Sequence, residues 1–335
     1  MTTAGSNTPV VDVILPAYGG RAVIGKAIES ALAQQVPLRV IVVDDGSPDD
    51  SADVARSYGP QIEVIRQDNR GVSGARNTGL AHATAPYVAL LDQDDIWQPG
   101  KLARQLAILE AHPDVGLVFC DMRLLRPDGS IVEDGFLHST PPYAELARTP
   151  LGDNAFLLPE ALAEAVVRFN FISPSTVLAR RDALQGVGGF DEAFRLCDDA
   201  ECWMRLLKRW RGAVIEENLV LSLVWEGNAS RRGGELIGER LRIGEKAARH
   251  PELYAAGTAE HFVRERPVSN YQLGVLALNE GRADVARERF GDSFAERASW
   301  MSAAGYVTAS LPAPVRALLL KAKRAAGLRW NVSVR

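Results

Sequence analysis

With 335 residues, 47% hydrophobic and 24% charged, the chain has the composition of a folded globular protein and enough length for one large domain plus an appendage. A formal net charge of −4 provides no basic field for nucleic acid, so no nucleic-acid partner is expected. Cys120, Cys197 and Cys202 lack the spacing of a disulfide framework, and the five histidines lack the H-x-x-x-H spacing of a zinc site.

Residues 1–9 are small and polar, without the basic and apolar regions of a secretory signal, and no apolar run approaches a membrane span. The cytoplasm is therefore the expected address. Residues 10–15 form a β-branched run ending at Pro16, which predicts a first strand. From 22 to 34, Val23, Ala27, Ile28, Ala31 and Leu32 recur at helical spacing. Residues 40–43 predict a second strand, closed by the turn cluster Asp44-Asp45-Gly46-Ser47-Pro48, with a helix starting over 49–56. A third strand at 62–65, a helix at 74–83 and a fourth strand at 87–91 follow. Strands alternating with helices predict a mainly parallel sheet, and right-handed crossovers bring the ends of strands one, two and four to one edge.

The fourth strand runs into Asp92-Gln93-Asp94-Asp95. Three carboxylates within four positions repel one another unless a cation or donors compensate, and hard oxygen ligands suit Mg²⁺ or Mn²⁺. A solvated acidic turn is the alternative. Residues 116–120 read as another strand, 126–153 as a long loop rich in Pro, Gly and charge, and 175–180 as a return to strand. Beyond 231 the pattern is helical. Residues 271–290 have the look of one tetratricopeptide-type hairpin with Gly281 at its turn, which needs neighbours to bury its faces. Residues 312–335 place basic side chains around apolar ones, with no acidic residue. Such a helix can lie on an anionic membrane surface, dock on the domain with its charges in water, or form a homo-oligomer surface.

Val11-Asp12-Val13-Ile14-Leu15-Pro16-Ala17-Tyr18, Val43-Asp44-Asp45-Gly46-Ser47, the run from Asn69 through Gly74-Ala75-Arg76-Asn77 to Gly79, and Leu91-Asp92-Gln93-Asp94-Asp95 occur in order. Together they resemble the nucleotide-binding half of a family 2 glycosyltransferase. Gly188-Gly189-Phe190-Asp191-Glu192 and the stretch from Asp198-Asp199 to Trp203-Met204-Arg205 resemble that family's acceptor side. The resemblance implies an α/β GT-A fold over 10–230, divided into a nucleotide-binding half (10–120) and an acceptor half (121–230), followed by a helical region at 231–335. It also implies inverting transfer of a sugar from a nucleotide diphosphate donor, UDP-linked, to a glycan or glycolipid acceptor in a bacterial surface-polysaccharide setting.

Within that resemblance Pro16, Ala17, Tyr18, Asp44, Asp45, Arg76 and Asp92 line the donor site. Asp94 binds the divalent cation, Mn²⁺ or Mg²⁺, and Asp199 is the base. Asp44 and Asp45 follow a buried strand, so at least one is expected to face the crevice, where a carboxylate can accept a uracil N–H or a ribose hydroxyl; capping of the helix after Ser47 is the alternative. Tyr18 can stack on the base or pack at the core edge. Arg76 suits the nucleotide or its diphosphate, with a surface ion pair as the alternative. Asp95 reads as an N-cap or a sugar contact. Asp199 falls in the first turn of a predicted helix, which is expected to keep it ionised. Trp203 and Trp225 fit core packing better than sugar stacking.

Two positions depart from the family pattern: Gly19 stands where Asn is common, and Trp225 where a His often precedes the Asn228-Ala229-Ser230 element. Two rival readings remain. Gly20 to Ala27 nearly spells a phosphate-binding P-loop with Lys26 as its lysine, but Ala27 supplies no hydroxyl for Mg²⁺. A catalytically inactive sugar-nucleotide-binding scaffold would need neither Asp94 nor Asp199.

Overall fold

The computed structural model describes residues 8–224 and 233–325, the side chains of 323–325 excepted. Trp225, the Asn228-Ala229-Ser230 element and the basic residues from 326 onward lie outside the described residues. The chain divides into two compact units, one of Met1–Asn228 with Glu252–Ala255 and the other of Ala229–Pro251 with Ala256–Arg335.

The first unit begins β1 (Val11–Ala17), α1 (Ile24–Leu32), β2 (Leu38–Asp44), α2 (Ser51–Arg56), β3 (Ile62–Arg66), α3 (Gly71–His82) and β4 (Tyr87–Leu90). It continues β5 (Asp95–Trp97), α4 (Lys101–Ala111), β6 (Val115–Leu125), β7 (Ile131–Asp134), α5 (Pro141–Ala144), β8 (Thr149–Gly152) and β9 (Ala155–Leu157). Then come α6 (Leu162–Arg168), β10 (Leu178–Arg180), α7 (Arg181–Gly186), α8 (Asp198–Leu207) and β11 (Arg211–Leu223). The sheet order is β3-β2-β1-β4-β10-β6-β11-β9-β8. It is parallel from β3 to β4 and again at β6–β11, with β10 antiparallel between those blocks.

All seven residues of β1 are buried, which suits a central parallel strand covered on both faces. Its one acid, Asp12, is paired with Arg39 at 2.9 Å and accepts the backbone N–H groups of Thr84 and Ala85, so the buried charge is fully met. The parallel register sets Ala17 beside Asp44 and Ile14 beside Leu90, so the loops after β1, β2 and β4 emerge at one edge.

Two local expectations need correction, and one strand was not anticipated. The 126–153 stretch is not one loop: it holds β7, α5 and β8. The strand expected over 175–180 shortens to β10 because Pro174–Thr176 forms a 3-10 turn. The longest strand, β11, carried no clear signal. Its register against β6 shifts between Ile215 and Asn218, where Glu216, Glu217 and Asn218 interrupt the apolar pattern.

The second unit contains α9 (Gly233–Arg249), α10 (Thr258–Asn279), α11 (Ala283–Glu296), α12 (Trp300–Ser310) and α13 (Ala313–Ala325). Helices α10 and α11 form a hairpin, and the left-handed turn between them uses Gly281 at φ +79°. Phe290 is fully buried at its centre, 5.7 Å from the Tyr271 ring, with α9 and α12 packed alongside the pair.

Candidate active site

The edge formed by the ends of β1, β2 and β4 gathers most of the residues singled out in the sequence. Pro16 and Ala17 are the last residues of β1, and their side chains are buried beside Val43 and Asp44. Tyr18 is the exception in exposure, with 54% of its surface open. Its backbone is clamped by Gln93, whose amide oxygen accepts from Tyr18 N at 3.1 Å while its nitrogen donates to Tyr18 O at 3.1 Å. Gln93, the middle residue of Asp92-Gln93-Asp94, therefore holds the β1 loop, a role that no pattern in its own motif announces.

The same loop excludes the P-loop arrangement. Gly19 N donates to Ser47 Oγ, Gly20 N to Ser51 Oγ and Arg21 N to Asp49, so these amides already have side-chain acceptors. Lys26 points into solvent from α1. Gly19 has φ +60°, a left-handed conformation that Gly adopts freely and Asn tolerates best among the other residues. The departure from the family's Asn thus preserves the backbone that the position requires.

Asp44 and Asp45 are both buried, contrary to the expectation that at least one faces the crevice. Asp45 accepts from Gln67 Nε2 at 2.7 Å, Arg70 N at 2.8 Å and Gly71 N at 2.8 Å. It therefore caps α3, placing its negative charge on the positive end of that helix and not on the helix that follows Ser47. Asp44 Oδ1 accepts from Ser47 N at 3.0 Å, whereas Oδ2 has no hydrogen-bond donor and only the Arg66 charge at 3.4 Å. The unfilled acceptor in this turn belongs to Asp44.

Arg76 organises the second cluster. It is buried in α3, where Nη2 donates to Asp92 Oδ1 at 2.7 Å and Nη1 donates to Asp198 Oδ2 at 2.7 Å. The ion pair is buried, which differs from the surface pairing considered from sequence. Burial opposes the guanidinium charge, but Asp198, Asp92 and Asp199 outweigh it and raise its pKa. Its Nε is buried without an acceptor. Asp92 N in turn donates to Ser175 Oγ at 3.0 Å, and Asp94 is half-buried beside it.

Asp95 is neither an N-cap nor exposed to a sugar. It lies in β5, buried, with Ser175 and Ser222 as partners, and α4 starts after Gly100. Burial, with Asp92 and Asp94 close by, pushes its carboxyl up to about 8. Burial is the larger cause, and the like charges of Asp92 and Asp94 add to it.

Two motifs distant in sequence lock α3 to the segment that leads into α8. Asn77 exchanges two hydrogen bonds with Phe190, its Nδ2 donating to Phe190 O at 2.7 Å and its Oδ1 accepting from Phe190 N at 2.8 Å. Gly189 sits at φ +67°, and a Cβ there would lie 2.6 Å from Asn77 Oδ1, so both backbone shape and space demand glycine. Arg70 pairs with Glu192 at 2.5 Å, and Ser73 Oγ donates to Phe194 O at 2.6 Å. Trp203 is core: fully buried, it donates to Ile172 O and meets the Phe190 ring edge-on.

These contacts set Asp198 and Asp199 in the first turn of α8. Asp199 accepts from Asn170 Nδ2 at 2.9 Å, while Asn170 Oδ1 accepts from Ile172 N, an arrangement that fixes the amide's orientation. Asn170 is a second residue whose role the sequence did not disclose. Burial and the neighbouring Asp198 raise the Asp199 carboxyl to about 7, against Arg76, Ala200 N and Asn170. The helix terminus thus fails to hold this group at an ordinary carboxylate pKa, and burial wins.

The residues at the end of β4 fit a divalent cation that arrives with phosphates. The donors are carboxylate oxygens, and their mutual repulsion shows in Asp95. Among the described residues no group of three His, Cys, Asp or Glu is gathered as a cage, and Mg²⁺ held by one or two carboxylates plus substrate phosphates requires none.

A mostly parallel sheet with carboxylates at one edge, flanked by helices and followed by a helical region, is a GT-A fold. Residues 12–126 match the sequence profile described as Glycosyl transferase family 2, and this part of the chain is similar to that family. The chain is 35% identical over 201 residues to the succinoglycan biosynthesis protein ExoO of Rhizobium meliloti, covering 57% of this chain and 53% of ExoO. It spans little more than half the length of that relative and others like it. Among solved structures, Staphylococcus aureus TarS 1–349 in complex with UDP-GlcNAc aligns with a TM-score of 0.61 and 17% identity, over 96% of this chain and 93% of TarS. The mannosyltransferase PcManGT of Pyrobaculum calidifontis, in complex with GDP-Man and Mn²⁺, aligns at 0.56 and 20%, over 96% and 81% of the two chains.

Proposed function

We propose that this chain is a metal-dependent, inverting glycosyltransferase that moves a sugar from a UDP-linked donor to a glycan or lipid-linked glycan acceptor during assembly of a surface polysaccharide. The observation that carries the reading is the Arg76 bridge, which joins Asp92 at the donor end to Asp198, the neighbour of Asp199. A base and a leaving-group site need this kind of fixed relation for in-line displacement.

Asp199 takes the proton from the acceptor hydroxyl as its oxygen forms a bond to the anomeric carbon. The bond from that carbon to the diphosphate breaks, and the nucleoside diphosphate leaves with the electron pair. A carboxylate with a pKa of about 7 suits proton abstraction near neutral pH. Asn170 orients it. Asp94, with Asp92 beside it, would hold Mn²⁺ or Mg²⁺, which neutralises charge on the leaving diphosphate. Tyr18 offers an exposed ring to the base. Asp44 Oδ2 is buried without a hydrogen-bond donor, and displacement of the half-exposed Arg66 beside it would open this one acceptor to the single imide N–H of uracil. A donor of this kind is supported by the UDP-GlcNAc and GDP-Man complexes of the similar folds, and the polysaccharide setting by the name of ExoO. A cytoplasmic setting is part of the proposal and is supported by three buried free thiols. No helix among the described residues is long and apolar enough to cross a membrane.

The test combines nucleotide-dependent melting with UDP release from a set of UDP-sugars. UDP with Mn²⁺ should raise the melting temperature of the wild type and of Asp199→Asn, but not of Asp94→Ala. Asp199→Asn should lose about 10²–10⁴-fold in kcat, the usual contribution of a general base. An Asp199→Asn enzyme that turns over at the wild-type rate would sink the assignment.

A further inference from the structure

The segment 297–335 carries seven Lys and Arg and no Asp or Glu, within a chain whose formal net charge is −4. Its two helices leave apolar faces open to water. On α13, Val315, Leu318, Leu319 and Ala322 share one face at i, i+3, i+4 and i+7, and all four are exposed; Leu318 is 69% open. Leu320 alone turns inward to the core of the second unit. On α12, Trp300 and Val307, seven residues apart and so on one face, are 78% and 60% exposed. Arg316 and Lys321 lie about 100° to either side of the α13 apolar face on a helical wheel.

We infer that α12 and α13 dock this chain on an anionic lipid surface. Exposed aliphatic and Trp side chains with cations along the flanks match a helix lying in the interface plane. The apolar face then enters the headgroup–acyl boundary and the cations reach lipid phosphates. Charge argues against the competing occupant. Two copies packed face to face through this segment would set seven positive charges against seven with no acid to pair them.

The experiment is co-sedimentation of the full chain with phosphatidylcholine vesicles and with vesicles that also contain phosphatidylglycerol. Binding is expected only to the anionic vesicles, and it should weaken with salt. Lys321→Ala should lower the partition coefficient about fivefold, the share of one cation near a charged surface. The double variant Leu318→Asp, Leu319→Asp should lose binding while melting like the wild type, because both side chains are exposed. Trp300→Ala, on the other helix, should weaken binding independently and covers the case in which the double variant misfolds. Equal binding to both vesicle types, or none to either, would overturn the inference. Sedimentation equilibrium without lipid provides the remaining arm: a dimer that the double variant dissociates, with no vesicle binding, would assign the face to a second copy.

Discussion

Two acidic patches share one sheet edge and use their charges in opposite ways. In the turn after β2, Asp45 is surrounded by donors and its charge serves to start α3. At the end of β4 and the start of α8 stand five carboxylates, Asp92, Asp94, Asp95, Asp198 and Asp199; the buried Arg76 pairs with two of them, and burial together with neighbouring acids raises Asp95 to about 8 and Asp199 to about 7. The contrast teaches that carboxylate type and strand-end location do not separate scaffold from chemistry. The distinction lies in the donors that the fold brings to each oxygen. A carboxylate met by backbone donors stabilises; a carboxylate buried beside like charges holds its proton nearer to neutral pH.

The strongest way to break this comparison is to remove the shared cation. Arg76→Ala would leave Asp198 in the interior and the half-buried Asp92 beside it without their partner, and breaking a buried pair in this way costs about 3–5 kcal/mol. Urea unfolding should show that loss, with Arg76→Lys intermediate because one ammonium cannot reproduce both guanidinium contacts. A change below about 1 kcal/mol would mean that the two carboxylates are neutralised by other means.

The second prediction separates the two aspartates of one turn. Asp45→Ala leaves the first amides of α3 uncapped and should cost about 1–3 kcal/mol, while UDP affinity per folded molecule stays near wild type. Asp44→Ala should instead weaken UDP binding about tenfold, equivalent to one hydrogen bond to a charged group. Isothermal titration of both variants tests this directly, and a reversed pattern would exchange their roles.

Much of this was legible in the sequence, for identifiable reasons. Strands β1, β2 and β4 announce themselves because parallel strands buried on both faces need continuous β-branched and aliphatic runs, and acids can then stand only at their ends. The roles of individual acids were less visible because their partners come from far along the chain. Asp45 meets amides 25 and 26 residues away, and Arg76 meets Asp198 at a separation of 122. Asn170 could not be connected to Asp199 without the turn that fixes both of its amide ends. Strand β11 was hidden by a register shift that places Glu216 and Glu217 in the middle of a strand.

The third prediction concerns protons. The Asp199 carboxyl is raised from the ordinary 3.8 to about 7, so it is protonated and unable to act as a base below that value. Transfer should therefore rise with pH through a midpoint near 7. Asn170 donates to the ionised form and lowers this pKa, so Asn170→Ala should move the midpoint upward. At pH 7 the variant should be several-fold slower and regain much of that loss at higher pH. A uniform reduction at every pH would instead assign Asn170 a purely structural role.

The smallest expected effect lies at Gly19, which ties the β1 loop to the acidic turn through one bond from its N–H to Ser47 Oγ at 3.2 Å. Open space surrounds the position, so a side chain there meets no atom within 4 Å and the only demand is the backbone angle of +60°. Asn tolerates that conformation, so Gly19→Asn should change stability by less than about 1 kcal/mol and leave UDP binding intact. Gly19→Val, β-branched and strained at this angle, should cost about 1–2 kcal/mol and loosen Tyr18 from its Gln93 clamp. Melting curves with and without UDP measure both effects. If Gly19→Asn weakens UDP binding as much as Asp44→Ala does, side-chain space over the loop matters more than its backbone. The scaffold patch would then reach into the donor site, and the division between the two acidic patches would have to be redrawn around the β1 loop.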